Sequence, residues 1–192
     1  MNLLFIEEVL KELGKRRPVF HSEADLQFEF AWEMRLRSVE GIRLEYPMKG
    51  IGELDIFIQG LSEIIEFKYK TKKASPIIKD EPFKLKQQSA HPLGRYDFLK
   101  DVSRIEQSDY HGFCLFLTND SSYWRKDVKG NGKDFCLSSG RSVSGDLAWK
   151  EKKVGSLGKN RLNNITLKGT YICNWKEYSK TFRYLLFEIK SP

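Results

Sequence analysis

The sequence contains little cysteine and histidine, the residues that build disulfide frameworks and zinc sites. It has three of each in 192 residues. The cysteines lie far apart, no C-x-x-C motif is present, and no histidine stands at zinc-ligand spacing. An odd number of dispersed cysteines is typical of a reduced intracellular chain and argues against a disulfide-stapled secreted fold. Any chemistry in this chain is therefore expected from other residue types.

Long apolar segments are also missing. The N-terminal stretch MNLLFIEEVLKEL has the pattern of an amphipathic helix with acidic residues inside it. Neither a signal peptide nor a membrane-spanning segment is expected after it. We expect a cytoplasmic protein with no membrane partner.

Acidic residues are outnumbered by basic ones. Lysine and arginine total 33 against 26 aspartate and glutamate residues, which gives a formal net charge of +7. A basic chain of this kind permits a nucleic-acid partner without requiring one. A length of 192 residues is most economically a single domain, 1–192, with one hydrophobic core.

The segment from 53 to 70, ELDIFIQGLSEIIEFKYK, carries the most informative pattern. Apolar and polar residues alternate on both sides of Gly60, which predicts two β-strands. A two-residue loop of Gly60 and Leu61, with glycine at the first central position of a type II′ turn, would pair Asp55 with Glu66. The hairpin therefore predicts two acids directly opposite each other.

Two opposed carboxylates need a proton or a cation between them. Directly opposed side chains have Cβ atoms roughly 4.5–5.5 Å apart, and like charges at that distance destabilise a sheet. Mg²⁺ takes oxygen ligands and uses only one or two carboxylates, which Asp55 and Glu66 would supply. Lys68 follows Glu66 by two residues and therefore points to the same face. The alternative is an exposed strand edge whose charged side chains are simply solvated.

A further acid precedes the hairpin. Ser22 and Asp25 have capping-box spacing, so a helix is predicted to begin at about Glu23. In the first turn, Glu23 would be stabilised by the helix N-terminus and could reach a metal ion at the sheet. The alternative is that Glu23 only complements the helix dipole.

The remaining apolar patterns complete a mixed α/β chain. Residues 41–48 predict a strand, residues 95–107 a helix, and residues 112–118 a buried strand. Together with the first helix and the hairpin they give the order α-β-β-β-α-β, within a core of about residues 20–119. Residues 120–192 are interpreted as a β-rich extension of the same domain, with late strands at 170–175 and 181–189.

The acids, the lysine and the order of elements resemble the restriction endonuclease-like, or PD-(D/E)XK, nuclease superfamily. Its pattern of a helix acid, a hairpin aspartate and a Glu-x-Lys motif matches Glu23, Asp55 and Glu66-Phe67-Lys68. The residue before the aspartate is leucine where the superfamily's name has proline, a position that varies freely. The phrases HSEADLQFEFAWE, LEYPM and RYDFLKDVSRIE are similar to an uncharacterised prokaryotic group of this superfamily. The resemblance implies a mixed sheet flanked by helices.

The resemblance also implies a Mg²⁺-dependent endonuclease in which Mn²⁺ could substitute for the metal. Asp55, Glu66, the Phe67 carbonyl and Glu23 would hold the ion, and Lys68 would orient or deprotonate the attacking water. The implied reaction is hydrolysis of phosphodiester bonds, with DNA as the expected substrate. Cutting both strands of a duplex would call for two active sites and hence a homodimer.

Several residues around this pattern are candidates for nucleic-acid binding. The lysine-rich stretch after the Glu-x-Lys motif would follow a phosphate backbone if it faces the same edge, and is otherwise a solvated loop. A glutamine before the second core helix and an arginine at its start could contact the strand or serve structural roles. The candidates are Lys70, Lys72, Lys73, Gln88 and Arg95. Aromatic residues of the extension, including Tyr123, would either stack bases or anchor the extra strands in the core.

Two other functions are compatible with the sequence. A catalytically silent module of the same fold would bind nucleic acid or a protein partner, and its binding to nucleic acid would be salt-sensitive and independent of metal. An ordinary α/β binding domain would carry these acids as surface groups. Clustered acids facing an anionic ligand offer nothing to a binding-only site, so we expect the nuclease.

Overall fold

The computed structural model describes residues 1–88, 90–125 and 130–190, without the side chains at 156, 157 and 159. The helices are α1 (Leu3–Arg16), α2 (Glu23–Leu36), α3 (His91–Glu106) and the short α4 (Val154–Leu157). The strands are β1 (Ile42–Met48), β2 (Gly52–Ile58), β3 (Glu63–Lys70), β4 (Ile77–Ile78), β5 (Glu81–Pro82), β6 (His111–Thr118), β7 (Ser142–Leu147), β8 (Ile165–Ile172), β9 (Lys176–Glu177) and β10 (Arg183–Ile189). Short 3-10 turns cover Lys133–Phe135 and Lys159–Arg161. Within these ranges no helix is long and apolar enough to cross a lipid bilayer.

Six strands form one mixed sheet in the order β1-β2-β3-β6-β10-β9. β3 and β6 run parallel over eight paired residues, and the other neighbours are antiparallel. A parallel pair needs a crossover, which α3 provides. Two further pairs, β4-β5 and β7-β8, form separate sheets. The chain is therefore mixed α/β. The predicted order of elements is found in α2-β1-β2-β3-α3-β6, with the short strands β4 and β5 inserted between β3 and α3.

Apolar clusters cover both faces of the main sheet. α1 and α2 pack on one face, against Ile65 and Phe67 of β3. α3 and the β7-β8 pair pack on the other face, against Ile64 of β3. Because successive strand residues point to opposite faces, the same alternation turns Glu66 and Lys68 toward α3.

The boundaries of the two core helices follow from their first residues. α2 begins at Glu23 as predicted, and Ser22 Oγ accepts a hydrogen bond from the Asp25 backbone N–H at 3.1 Å. α3 begins at His91, earlier than predicted, with Pro92 in its first turn. Proline is favoured in the first turn because the backbone N–H that it lacks would have no hydrogen-bond partner within the helix at that position. In the extension, β10 lies beside β6 and β9 lies beside β10, so both strands extend the main sheet.

The predicted type of hairpin turn is wrong. β2 ends at Ile58 and β3 begins at Glu63, so a four-residue loop connects them. Gly60 lacks the positive φ that the first central position of a type II′ turn requires, whereas Ser62 has φ 53°. The Leu61 N–H bonds to the Ile58 carbonyl at 3.2 Å. This longer loop nevertheless gives the strands the register that the two-residue turn predicts.

Two glycine-to-alanine substitutions test the hairpin and the crossover. A Cβ added at Gly60 would meet nothing within 4 Å, so we expect Gly60→Ala to change the free energy of unfolding by less than about 0.5 kcal/mol. At Gly112 in β6 the Cβ would lie 2.9 Å from both the Ile64 carbonyl oxygen and Ile105 Cγ2, so we expect a loss of about 1–3 kcal/mol. Urea unfolding followed by circular dichroism measures both values. A larger loss at Gly60 than at Gly112 would contradict the observed turn.

Candidate active site

β3 positions the central charged residues of the site. Glu66 is only 3% exposed, and Lys68 is partly buried two residues further along the same face. β3 is an interior strand between β2 and β6. The Glu-x-Lys motif therefore lies beneath α3 and not on a solvated edge of the sheet.

Asp55 of β2 lies beside this motif. The pairing of β2 with β3 ends at Ile56 and Ile65, in the predicted register. The next residues in that register are Asp55 and Glu66. Asp55 Oδ2 accepts a hydrogen bond from the Phe67 backbone N–H at 2.6 Å. The structure thus brings the two predicted hairpin acids together on the face that α3 covers.

α3 contributes a further acidic residue, Asp101, and a further basic residue, Arg104. Lys68 Nζ lies 2.6 Å from Asp101 Oδ2, and Arg104 Nη2 lies 2.6 Å from Glu66 Oε1. Arg104 Nη2 also lies 3.4 Å from Asp101 Oδ1. Charged residues of the helix and the strand therefore form one continuous network.

Asp101 is not among the residues predicted from the sequence. Phe98, Val102 and Ile105, which belong to the apolar stripe of α3, are buried. Asp101 follows Phe98 by three residues and so shares its face of the helix. An acid among core-facing helix positions is a usable signal, because a buried charge needs a partner.

Glu23 reaches the same region from the first turn of α2. Its Oε2 accepts a hydrogen bond from the Tyr69 backbone N–H at 2.5 Å. A cleft of about 310 Å³, here called the charged cleft, is lined by residues that include Glu23, Lys68, Lys70 and Asp101. Glu23 therefore contacts the sheet and also lies in the first turn of α2, where its negative charge complements the helix dipole.

Acids outnumber bases in this network. The carboxyl groups are Glu23, Asp55, Glu66 and Asp101, and the cations are Lys68 and Arg104. Burial, together with the neighbouring charges of Asp101 and Asp55, raises the pKa of Glu66 to about 9. Burial also raises the pKa of Glu23 and of Asp55, and Lys68 and backbone N–H groups offset part of that effect. At neutral pH Glu66 therefore holds a proton unless a further cation is present.

Lys68 remains charged in this setting. Burial lowers the pKa of its ammonium group, but the carboxylates of Asp101 and Glu23 outweigh burial and hold that pKa above its ordinary value. Lys68 Nζ also donates a hydrogen bond to the Phe67 carbonyl at 2.9 Å. The residue is thus suited to donating hydrogen bonds and not to removing protons.

The donor chemistry of the network suits a hard divalent cation. Carboxylate and carbonyl oxygens are the ligands that Mg²⁺ takes. Glu66 Oε1 is buried and, despite its contact with Arg104, is not aligned for a hydrogen bond with any described residue. As they stand, the described residues include no group of three or more His, Cys, Asp or Glu side chains that could hold a metal ion. In this arrangement the backbone N–H groups of Phe67 and Tyr69 bond to Asp55 and Glu23, and Arg104 contacts Glu66.

One of the predicted nucleic-acid contacts, Lys70, lines the charged cleft. Lys72 and Lys73 are exposed just beyond the end of β3. Gln88 Oε1 accepts a hydrogen bond from the Thr71 backbone N–H at 2.8 Å. The glutamine therefore fixes the loop before α3 against the end of β3.

Arg95 lies apart from this group. Its side chain is 4% exposed and donates a hydrogen bond to the Ser122 carbonyl at 2.5 Å. Burial lowers the pKa of its guanidinium group, and its guanidinium carbon lies 5.2 Å from the centroid of the Tyr123 ring. Arg95 is therefore a buried packing residue in this structure and presents no cation to a surface phosphate.

Comparisons with models of protein families, with curated proteins and with solved structures gave no match to this chain.

Glu66 makes the stability of the metal-free protein depend on pH. Its pKa is raised from 4.5 to about 9 by folding, so between these values the folded state binds more protons than the unfolded state. The free energy of unfolding therefore falls as the pH rises from about 5 to about 9. We expect Glu66→Gln, which resembles the protonated acid in shape, to flatten this slope and to stabilise the protein by about 1–3 kcal/mol near pH 8.5.

Urea unfolding in EDTA, at several pH values across that interval, measures the slope. Asp109→Asn is the matched control because Asp109 is exposed. An equal slope in the parent protein and in Glu66→Gln would show that Glu66 is not a buried neutral acid.

Proposed function

We propose that this protein is a Mg²⁺-dependent nuclease that hydrolyses phosphodiester bonds, with DNA as its substrate. The observation that carries the proposal is the convergence of Asp55, Glu66 and Lys68 on one face of the hairpin, beneath Asp101. An excess of acid over base favours a divalent cation, and a fixed ammonium group favours an anionic substrate. Lys70 in the cleft and the exposed lysines at 72 and 73 that follow it favour a polyanion such as nucleic acid.

The topology around the site supports a restriction endonuclease-like fold as part of the same proposal. The antiparallel hairpin β2-β3, the parallel pair β3-β6 and the crossover α3 follow one another in the order that the resemblance implies. The aspartate stands on the first strand of the hairpin and the Glu-x-Lys motif on the second. Because a fold alone does not determine function, the proposal depends on the site residues.

Asp55, Glu66, the Phe67 carbonyl and Glu23 would hold Mg²⁺, with Mn²⁺ as a substitute. When bound, the ion would supply Lewis-acid polarisation of a phosphoryl oxygen. Glu66 would give up its proton on binding, because a divalent charge replaces the proton between opposed acids. Arg104 would retain Asp101 as an acidic partner.

Lys68 would supply a fixed positive charge during the reaction. Its ammonium group stays protonated beside Asp101. It would therefore donate a hydrogen bond to a phosphate oxygen or to the attacking water, and would not act as the base. Preorganised charges of this kind typically contribute more to catalysis than proton transfer does. No covalent intermediate with the protein is required.

A catalytically silent nucleic-acid-binding module is the second candidate. Backbone N–H groups already bond to Asp55 and Glu23, and Arg104 already pairs with Glu66. Acids satisfied in this way also occur in purely structural ion-pair networks. Metal dependence of binding and cleavage separates the two functions.

Metal binding is the first test of the proposal. We expect calorimetry to detect Mg²⁺ or Mn²⁺ at about one or two sites per chain, with release of protons near pH 7 as Glu66 ionises. Asp55→Asn keeps an oxygen for the Phe67 N–H, and Glu66→Gln keeps the side-chain volume, so both variants should fold and lose the metal. Asp109→Asn serves again as the exposed control. Binding that survives in both site variants, or no binding even with DNA present, would rule out the proposed nuclease.

Lys68 gives a separate test of catalysis. We expect Lys68→Gln to reduce Mg²⁺-dependent cleavage of DNA by at least about 100-fold while metal binding is retained. Lys72→Gln removes an exposed lysine two residues after Lys70, and it should lower only the affinity for DNA and its salt dependence. Gel assays of cleavage under single-turnover conditions compare the two variants. Similar losses in both would show that Lys68 acts only through general electrostatic attraction.

A further inference from the structure

A groove with a volume of about 280 Å³ adjoins the charged cleft. Glu23 and Lys70 line both spaces. Lys84 and Lys86 also line the groove, which is here called the lysine groove. A chain-like ligand in the charged cleft would therefore extend past Lys70 into the lysine groove.

The lysine groove carries positive charge that the protein leaves largely uncompensated. Within the part of the chain that the structure describes, Lys70, Lys84 and Lys86 form no ion pair and donate no side-chain hydrogen bond. Glu23 is the one acid among the described lining residues. Its Oε2 accepts a hydrogen bond from the Tyr69 N–H at 2.5 Å, and burial raises its pKa. Several cations gathered without acidic partners favour a ligand that carries several negative charges.

Two of these lysines lie on one side of an extended segment. Leu85 forms an antiparallel β-bridge with Ala74. Phe83 and Leu85 are buried, whereas Lys84 and Lys86 are exposed. Two residues of extended chain advance by about 6.6 Å and place their side chains on the same side. This advance is close to the distance between neighbouring phosphate groups of a nucleic-acid strand, so the two lysines are spaced to contact successive phosphates.

The segment that carries Lys84 and Lys86 is fixed to the rest of the protein. The Phe83 N–H donates a hydrogen bond to the Pro76 carbonyl at 2.9 Å. The Phe83 ring stacks on His21, with ring centroids 4.3 Å apart. Thr71 Oγ1 donates to the Lys86 carbonyl at 2.7 Å. A ligand that contacts these lysines therefore does not have to order a loose loop, which lowers the entropic cost of binding.

We propose that the phosphate groups next to the hydrolysed bond bind in the lysine groove. The substrate strand passes from the charged cleft along Lys70 and reaches Lys84 and Lys86. This arrangement rests on the proposed nuclease function, which makes the charged cleft the place of hydrolysis. The substrate class is therefore an oligonucleotide strand that continues at least about two nucleotides beyond the hydrolysed bond on one side, and not an isolated nucleotide.

Fluorescence anisotropy in EDTA measures binding apart from catalysis. The probe is a labelled DNA single strand of about twelve nucleotides, and its affinity is measured at several salt concentrations. We expect Lys84→Gln and Lys86→Gln each to weaken binding by about threefold to tenfold at about 50 mM salt. Each should also lower the slope of log Kd against log salt concentration by about 0.7, and the double variant should lower it by about 1.4.

Lys11→Gln is the matched control because it changes the net charge by the same amount. Lys11 is exposed on α1 and lines a cavity that shares no residue with the lysine groove. We expect this variant to bind the strand with the affinity and slope of the parent protein. All three substituted lysines are exposed, so the urea midpoint of unfolding should be unchanged in each variant. A loss of affinity at an unchanged midpoint then reports a lost contact with the strand.

The outcomes for the lysine groove and for the nuclease are distinguishable. No binding of the strand by the parent protein, or equal losses in Lys11→Gln and in the groove variants, would overturn the lysine groove even if Mg²⁺-dependent cleavage is observed. Losses confined to the groove variants, without cleavage in any metal, would support the groove as a strand-binding site and remove the nuclease function.

Discussion

The parallel pairing of β3 with β6 is the contact on which the rest of the structure depends. Parallel neighbours cannot be joined by a tight turn, so the chain must cross the sheet between them, and α3 is that crossing. Gly112 permits the close approach at the start of β6, where a Cβ would meet both the helix and β3. The crossing carries Asp101 and Arg104 over Glu66 and Lys68. A pairing of backbone groups thus decides which charged side chains meet.

Burial of unequal charge gives the cleft its chemical character. An interior strand is a poor place for an ionised acid, since loss of water favours the neutral form. Glu66 accordingly retains a proton well above the pH at which an exposed glutamic acid loses it. In the proposed metal site, the free energy that destabilises the ionised cleft would become available for binding the cation that replaces that proton. Such a site would lower the stability of the protein without the metal and raise its affinity for the metal.

Strand alternation in the sequence predicts which residues face each other across the hairpin. The contacts that α3 makes when it packs on the sheet are not predicted from the sequence. Alternation places Asp55 opposite the Glu-x-Lys motif, because only one register buries both apolar faces. The turn is different, because the left-handed conformation falls on Ser62 and not on Gly60. The role of Asp101 and the burial of Arg95 depend on the orientation of α3 about its own axis and on its position over the sheet. Helical periodicity shows which residues face inward, but not which strand residues they meet.

Asp55 terminates a strand pair as well as facing the cleft. Its carboxylate takes the Phe67 N–H at the point where the ladder between β2 and β3 ends. Asp55 therefore has two roles: its carboxylate accepts the hydrogen bond that ends the strand pairing, and it places an acid in the cleft. The bond to Phe67 needs an oxygen and not a charge, so an asparagine at this position would complete the hairpin equally well. An aspartate kept here in relatives of this chain would therefore point to a demand for negative charge, such as the proposed metal would make.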